Sequence, residues 1–175
     1  MATCYQWIES PTGRLLLVAD EEGLRQVSFA EGRTPASVDP SWEKEDRHLR
    51  ESVRQLRAFF AGDLERFELP LKPEGTEFQQ KVWSALCRIP FGETRSYGEL
   101  ARRLGNPSAS RAVGLANGSN PIAIIIPCHR VIGSNGKLTG YGGGLENKQW
   151  LLDFERRQLR LGFGQGRGRG KPNGR

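Results

Sequence analysis

Cys128, His129 and Arg130 stand in a row at the end of the apolar stretch IIIPCHRVIG, residues 124–133. A cysteine that only packs has no need of such neighbours, whereas a cysteine that attacks does. The nucleophile is the thiolate, and a free cysteine ionises mostly above neutral pH, so a nearby group must lower its pKa or take its proton. His129 is the nearest base. Adjacent side chains usually diverge, so it can serve Cys128 only if the backbone turns there, or through a water, and Pro127 favours such a turn. A base works best when a third group orients it. Glu155, on the last helix of the chain, is a candidate that spacing alone does not place. The other two cysteines, Cys4 and Cys87, read as buried small hydrophobes. Three widely spaced cysteines make no disulfide framework, and Cys4 with His48 lacks the ligand spacing of a zinc site.

The elements that must hold this chemistry fall into two halves. CYQWIES (4–10), RLLLVAD (14–20) and LRQVSFA (24–30) are short apolar runs split by Pro-Thr-Gly and Glu-Glu-Gly, the pattern of a β-meander. Residues 31–40 read as a loop. Leu49, Val53, Leu56 and Phe60 then recur at helical spacing, which predicts an amphipathic helix over about 41–61. FELPLKPEG (67–75) predicts a short edge strand and a linker. In the second half, Thr76 with Gln79 and Ser96 with Glu99 form capping boxes. The first opens a helix with Phe78, Val82 and Leu86 as its stripe and with Cys87 on the apolar side. The second opens a short helix closing near Gly105. Ser108 is placed to cap a third helix, SRAVGLAN, ended by Gly118, so the pair resembles a helix-turn-helix. Residues 121–127 predict a buried extended track between two prolines, 131–144 a glycine-rich loop, and 145–159 a helix with Leu145, Trp150 or Leu151, and Phe154 on one side. Three segments result: a strand-rich domain at 1–74, a helical domain at 75–160, and a basic tail at 161–175 that reads as disordered.

The chain has 175 residues, 37% hydrophobic and 26% charged, enough for one good core or two small ones sharing an interface. No apolar run approaches the ~20 residues of a membrane span. Glu9 and Pro11 interrupt any signal-peptide core, so a cytoplasmic location with reduced thiols is expected. The net charge of +6 is uneven. Residues 1–74 carry 10 Lys/Arg against 14 Asp/Glu, 75–155 carry 9 against 6, and 156–175 carry 7 against none. A polyanion would meet the second half.

PCHRVIG at 127–133, with RAVGLANGSNP before it and YGGG after it, resembles the signature of the O6-alkylguanine-DNA alkyltransferases. The match runs from about Phe78 to Leu159, through SYGELA (96–101) and WLLDFE (150–155). The N-terminal half is similar only in style. The resemblance implies an α+β fold: an N-terminal ribonuclease-H-like β-sheet with a helix, and a mainly helical C-terminal domain with a helix-turn-helix. It implies suicidal DNA repair, in which an alkylated guanine, and by extension O4-alkylthymine, is rotated out of duplex DNA and its alkyl group passes irreversibly to cysteine. By position Cys128 is similar to the acceptor, His129 to its water-linked base, Glu155 to the carboxylate behind that base, and Asn120 to the residue that holds the active-site turn. Tyr97 matches the tyrosine that donates to guanine N3, the carbonyls of Cys128 and Val131 would take the exocyclic amine, and Tyr141 resembles the pocket wall. Arg111 matches the arginine finger that fills the gap in the duplex. Ala109, Ser110, Ala112 and Gly114 lie on the helix that would enter the minor groove. No metal or organic cofactor is implied. A monomer in solution, able to assemble cooperatively on DNA, is expected. Gly142 departs from members that carry a serine contacting O6, leaving only its N–H, and the glycines at 142–144 predict a roomier, looser loop.

Three readings compete. An alkyltransferase-like protein binds the same lesions but lacks the acceptor cysteine, which is present here. A helix-turn-helix transcription factor leaves Cys128, His129 and Tyr97 idle. A Cys-His hydrolase needs an oxyanion hole and turns over repeatedly.

Overall fold

Glycine-punctuated apolar runs become strands β1 (Cys4–Ile8), β2 (Leu15–Asp20) and β3 (Gly23–Phe29) in the structure, a computed structural model that describes residues 2–162. β1 and β3 both pair antiparallel with β2. Every residue of β2 is buried, as befits a strand covered on both faces. The outer edge of β1 carries β4 (Glu43–Lys44), in parallel, giving the order β3-β2-β1-β4. This corrects the helix expected over about 41–61. Residues 43–44 are drawn into the sheet, and α1 spans only Arg50–Phe60. Leu49, Val53 and Leu56 face the core as the stripe predicts, joined by Phe59.

The other edge of β3 positions the site. The edge strand expected at 67–75 shrinks to a single bridge, Leu24 with Leu71, made by Leu24 N–H to the Pro70 carbonyl (2.9 Å) and Lys72 N–H to the Leu24 carbonyl (2.9 Å). Buried Gln55 of α1 pins the same segment, exchanging two 2.9 Å bonds with the Glu68 backbone. Further along the edge, Val27 N–H donates to the Pro121 carbonyl and Ala123 N–H to the Val27 carbonyl, both at 3.0 Å. The segment leading to Cys128 is therefore fastened to the N-terminal sheet.

Both capping boxes are present. Thr76 and Gln79 open α2 (Glu77–Leu86), and Ser96 and Glu99 open α3 (Tyr97–Arg103); each such cap is worth about 1 kcal/mol. Phe78 of the α2 stripe is 36% exposed, and Trp83 packs inside instead, its indole donating to the Ala116 carbonyl at 2.9 Å. Cys87 is exposed at the end of α2, contrary to expectation. The helix ends there, so its apolar side no longer faces the core. α4 (Ser110–Gly118) follows α3 to complete the helix-turn-helix, but Ser108 does not cap it: its hydroxyl bonds Asn106 Oδ1 and the N-cap is Ala109.

Three further expectations need correction. Residues 121–127 are buried and non-helical but turned, not extended. Ile126 N–H bonds the Ile122 carbonyl, and Ile124 sits at φ +72, a costly conformation for a β-branched residue. The 131–144 loop begins with strand β6 (Val131–Ile132), parallel to β5 (Arg95–Ser96). The last helix, α5 (Leu145–Arg160), buries Leu151 and Phe154 but leaves Leu145 48% exposed. One core runs through both halves, from Leu15 and Phe59 to Val82, Ile122 and Phe154. The tail expected at 161–175 lies outside the described residues from 163 onward. Among the described residues no helix is long and apolar enough to cross a membrane.

Candidate active site

Asn120 builds the turn that delivers the thiol. Its Nδ2 donates to the carbonyls of Ile126 (2.8 Å) and Ile122 (3.4 Å), and its Oδ1 accepts from Ile122 N–H (3.0 Å). These bonds close the loop that holds Ile124 in its strained conformation. A single 3-10 turn, Cys128–Arg130, follows Pro127 and fans three consecutive side chains apart, which is the turn the residue types require. The Cys128 side chain meets a cavity with Asn120, Tyr141 and Gly142. His129 and Arg130 turn to Glu155.

The Glu155 carboxylate is fully buried. It accepts from His129 Nε2 at 3.1 Å, from Arg130 Nε at 2.8 Å and from an Arg130 terminal nitrogen at 2.5 Å, while the other Arg130 terminal nitrogen donates to the Ile89 carbonyl at 2.7 Å. Burial alone would raise its pKa. The His129 ring and the Arg130 guanidinium outweigh that and hold it at about 2. Burial pushes the His129 pKa down, against the pull of Glu155, so the ring is neutral. With Nε2–H donating to the carboxylate, Nδ1 carries the lone pair. It is buried without a hydrogen-bond partner among the described residues, free to accept a proton. Burial pushes the Cys128 thiol up, opposed by the Asn120 hydrogen bond and by the charge of Lys148. The resting site is thus a protonated thiol beside a neutral, oriented imidazole. Among the described residues, no group of three or more His, Cys, Asp or Glu could hold a metal ion.

Tyr97, the first residue of α3, places its hydroxyl against that of Thr139 in a short hydrogen bond. Tyr141 is buried edge-on to Phe29 (5.5 Å), its hydroxyl without a hydrogen-bond partner among the described residues. Val131 is fully buried at the start of β6. The structure gathers Cys128, Asn120, Tyr141 and Gly142 around one cavity, with Tyr97 and Val131 outside its lining. Arg111, Ala112, Leu115 and Gly118 form the exposed face of α4, with Leu115 74% exposed. Ala109 and Ser110 lie half-buried at the start of that helix, and Gly114 lies half-buried beside Tyr97.

Two family models match the chain. One, described as "6-O-methylguanine DNA methyltransferase, ribonuclease-like domain", covers residues 3–73; the other, the "DNA binding domain" of the same methyltransferase, covers 77–157. A methylated-DNA–protein-cysteine methyltransferase of Methanosarcina acetivorans is 59% identical over 151 residues, 86% of this chain and 97% of that protein. This chain belongs to the methylated-DNA–protein-cysteine methyltransferase family. The homologue of that name from Mycobacterium tuberculosis is 51% identical over 155 residues, 87% of this chain and 92% of its own. The crystal structure of Mycobacterium tuberculosis OGT in complex with DNA superposes with a TM-score of 0.82 at 50% identity, covering 88% of this chain and 93% of that one. The α+β fold of the family, an N-terminal sheet and a C-terminal helical region, is the fold seen here.

Within this member of the methyltransferase family, three features escape the sequence reading. Phe29 and Thr34, from the N-terminal half, line the Cys128 cavity. Thr34 N–H bonds the Gly142 carbonyl at 3.2 Å, a contact between residues too far apart in sequence to infer. The glycines at 142–143 serve close packing, not looseness: a Cβ on Gly143 would lie 2.6 Å from the Phe29 ring, and one on Gly142 2.9 Å from Thr34 Oγ1. The cavity is only about 70 Å³, room for about two waters. Third, Lys148 is fully buried on the face of α5 that also carries Leu151 and Glu155. A lysine in register with an apolar stripe is the signal that could have revealed it.

Proposed function

We propose that the chain repairs alkylated DNA by a single irreversible transfer from guanine O6 to Cys128. The carrying observation is the relay from Glu155 to His129 Nε2, with Nδ1 free, beside a thiol that faces a cavity. His129 takes the thiol proton through a bridging water. Sγ attacks the alkyl carbon, the S–C bond forms as the C–O6 bond breaks, and the guanine leaves as a neutral base once a proton reaches it. Tyr97 is the donor that helps it leave, and the Cys128 and Val131 carbonyls take its exocyclic amine. Gly142 offers O6 its backbone N–H. The product is a thioether that nothing in the site reverses, so each chain acts once and needs no cofactor or metal.

A base inside a duplex must be extruded first, at a cost of a few kcal/mol. Arg111, on the exposed face of α4, would fill the gap, while Ala109, Ser110, Ala112 and Gly114 allow that helix to approach the minor groove closely. A Cβ on Gly114 would make only ordinary contacts, 3.7 Å from Tyr97, so the demand for smallness there comes from outside the fold. The cavity of about 70 Å³ is smaller than a base, so base entry must widen it. Support for DNA as partner comes from the family's DNA-binding domain over 77–157 and the DNA complex of the Mycobacterium tuberculosis relative. The reading extends to O4-alkylthymine, to a chain monomeric when free and able to assemble along DNA, to a cytoplasmic setting, and to functional units at 1–74 and 75–160.

Cys128→Ser tests the acceptor. It should keep affinity for duplex DNA and lose all transfer from an O6-methylguanine duplex. Transfer retained by that variant would refute the assignment.

A further inference from the structure

Asn117 carries an acceptor that the fold does not use. It lies on the inner face of α4 with Val113 and Ala116, and is 3% exposed. Its Nδ2 donates to the Cys128 carbonyl at 3.4 Å. Its Oδ1 is buried and has no hydrogen-bond partner among the described residues. The orientation of the amide follows from the Cys128 contact: reversed, Oδ1 would face the carbonyl oxygen, acceptor against acceptor. Buried polar atoms are nearly always hydrogen-bonded, so one left open on a cavity wall points to a partner from outside the fold.

That partner has to come through the cavity, which Asn117 and Cys128 both line. The other polar side chains of the wall are engaged or can donate. Asn120 uses its amide on Ile122 and Ile126. Ser28 Oγ accepts from Gln26 Nε2 at 2.8 Å, and Thr34 Oγ1 donates to the Gly142 carbonyl at 3.4 Å. The Tyr141 hydroxyl has no partner among the described residues, but a phenol donates as well as accepts. Asn117 Oδ1 therefore gives the cavity an acceptor held beside the carbonyl of the thiol's own residue.

The chemistry of the lesion decides which donor can meet it. With O6 alkylated, guanine N1 has no proton, N3 and N7 are acceptors, and N9 is bonded to the sugar. The exocyclic amine is the base's single donor group. We infer that Asn117 is a specificity-determining residue: its Oδ1 accepts from the exocyclic amine of the extruded O6-alkylguanine, sharing the N–H directed at the Cys128 carbonyl. The inference rests on reading Cys128 as the alkyl acceptor and its cavity as the seat of the base. Such shared hydrogen bonds are common where two acceptors lie side by side. An O6-alkylated base without the amine leaves Oδ1 buried and unpaired. So does O4-alkylthymine, whose ring N3 has no proton. A site built to bond an N–H discriminates against analogues that lack it for this reason.

The test is single-turnover transfer from two matched duplexes, in wild type and in Asn117→Leu. One duplex carries O6-methylguanine; the other carries O6-methylhypoxanthine, which lacks only the exocyclic amine. Wild type should react faster with the guanine lesion. One neutral hydrogen bond corresponds to about a fivefold difference, so Asn117→Leu should shrink the preference by about that factor. Loss of the Nδ2 bond to the Cys128 carbonyl disturbs the thiol for both substrates and cancels in the ratio. A preference unchanged in Asn117→Leu would overturn the inference and leave Asn117 a tether of the active-site turn. Wild type inert towards both duplexes would overturn the acceptor reading, and the inference with it. A second measurement leaves Asn117 in place. In ¹³C-asparagine-labelled Cys128→Ser bound to each duplex, the Asn117 Cγ resonance should move downfield with O6-methylguanine and not with O6-methylhypoxanthine. Equal shifts would contradict the inference even if Asn117→Leu fails to fold.

Discussion

Three nitrogens converge on one carboxylate at Glu155, and the site depends on that convergence. Removing the carboxylate would leave the buried Arg130 guanidinium unpaired, a loss of about 3–5 kcal/mol in comparable cases. Glu155→Ala should lower the urea midpoint at pH 7 accordingly, and an unchanged midpoint would show that Arg130 finds another anion. The same groups set the acid response. Glu155 ionises more readily folded than unfolded, at about 2 against an ordinary 4.5. Its contribution is full above 4.5 and is lost as pH falls towards 2. His129 is harder to protonate folded than unfolded, so its contribution is present above the ordinary 6.5 and is lost below it. Both act in one direction: stability should decline as pH falls below 6.5 and decline again below 4.5. In Glu155→Gln the lower part of that fall should flatten, and a profile parallel to wild type would contradict the assignment.

Two elements meet over the thiol, the 30–34 loop and the 140–144 loop, and their glycines let them touch. Gly143→Ala would press a methyl into the Phe29 ring. Overpacking of this kind costs about 1–3 kcal/mol, and the thermal midpoint should fall while affinity for duplex DNA, which we assign to α4, is kept. On α4, Arg111→Ala should weaken repair of a duplex lesion far more than reaction with free O6-benzylguanine; equal losses on both substrates would argue against a role in base extrusion. What was legible in sequence follows from the range of the interactions. The capping boxes at Thr76 and Ser96, the β-meander and the stripe of Leu49, Val53 and Leu56 are local and were readable. β4 was not, because two exposed residues pair with β1 only through long-range backbone bonds. Glu155 could be named as a candidate but not placed, since 26 residues separate it from His129. That the 3-10 turn would send His129 and Arg130 to the same carboxylate was beyond reach. The Phe29 and Thr34 wall of the cavity was hidden for the same reason, and Lys148 was visible only as a misfit in an apolar face.

At the scale of the whole molecule, the sheet and the helices share one core, and the segment carrying Cys128 is fastened to the edge of β3. The order of the Cys128 segment is therefore expected to depend on the N-terminal half. Unfolding should be a single transition, the same by far-UV circular dichroism, by fluorescence of Trp7, Trp42, Trp83 and Trp150, and by exposure of Cys128 to a thiol reagent. An early, separate exposure of Cys128 would mean that the site unlocks independently of the sheet. The central claim, that Cys128 is a single-use alkyl acceptor, is tested most directly by intact-protein mass after incubation with excess O6-methylguanine duplex, followed by peptide mapping. The prediction is one methyl group per chain, on Cys128, with no further product released on longer incubation. Repeated turnover, or a methyl group on any other residue, would contradict it.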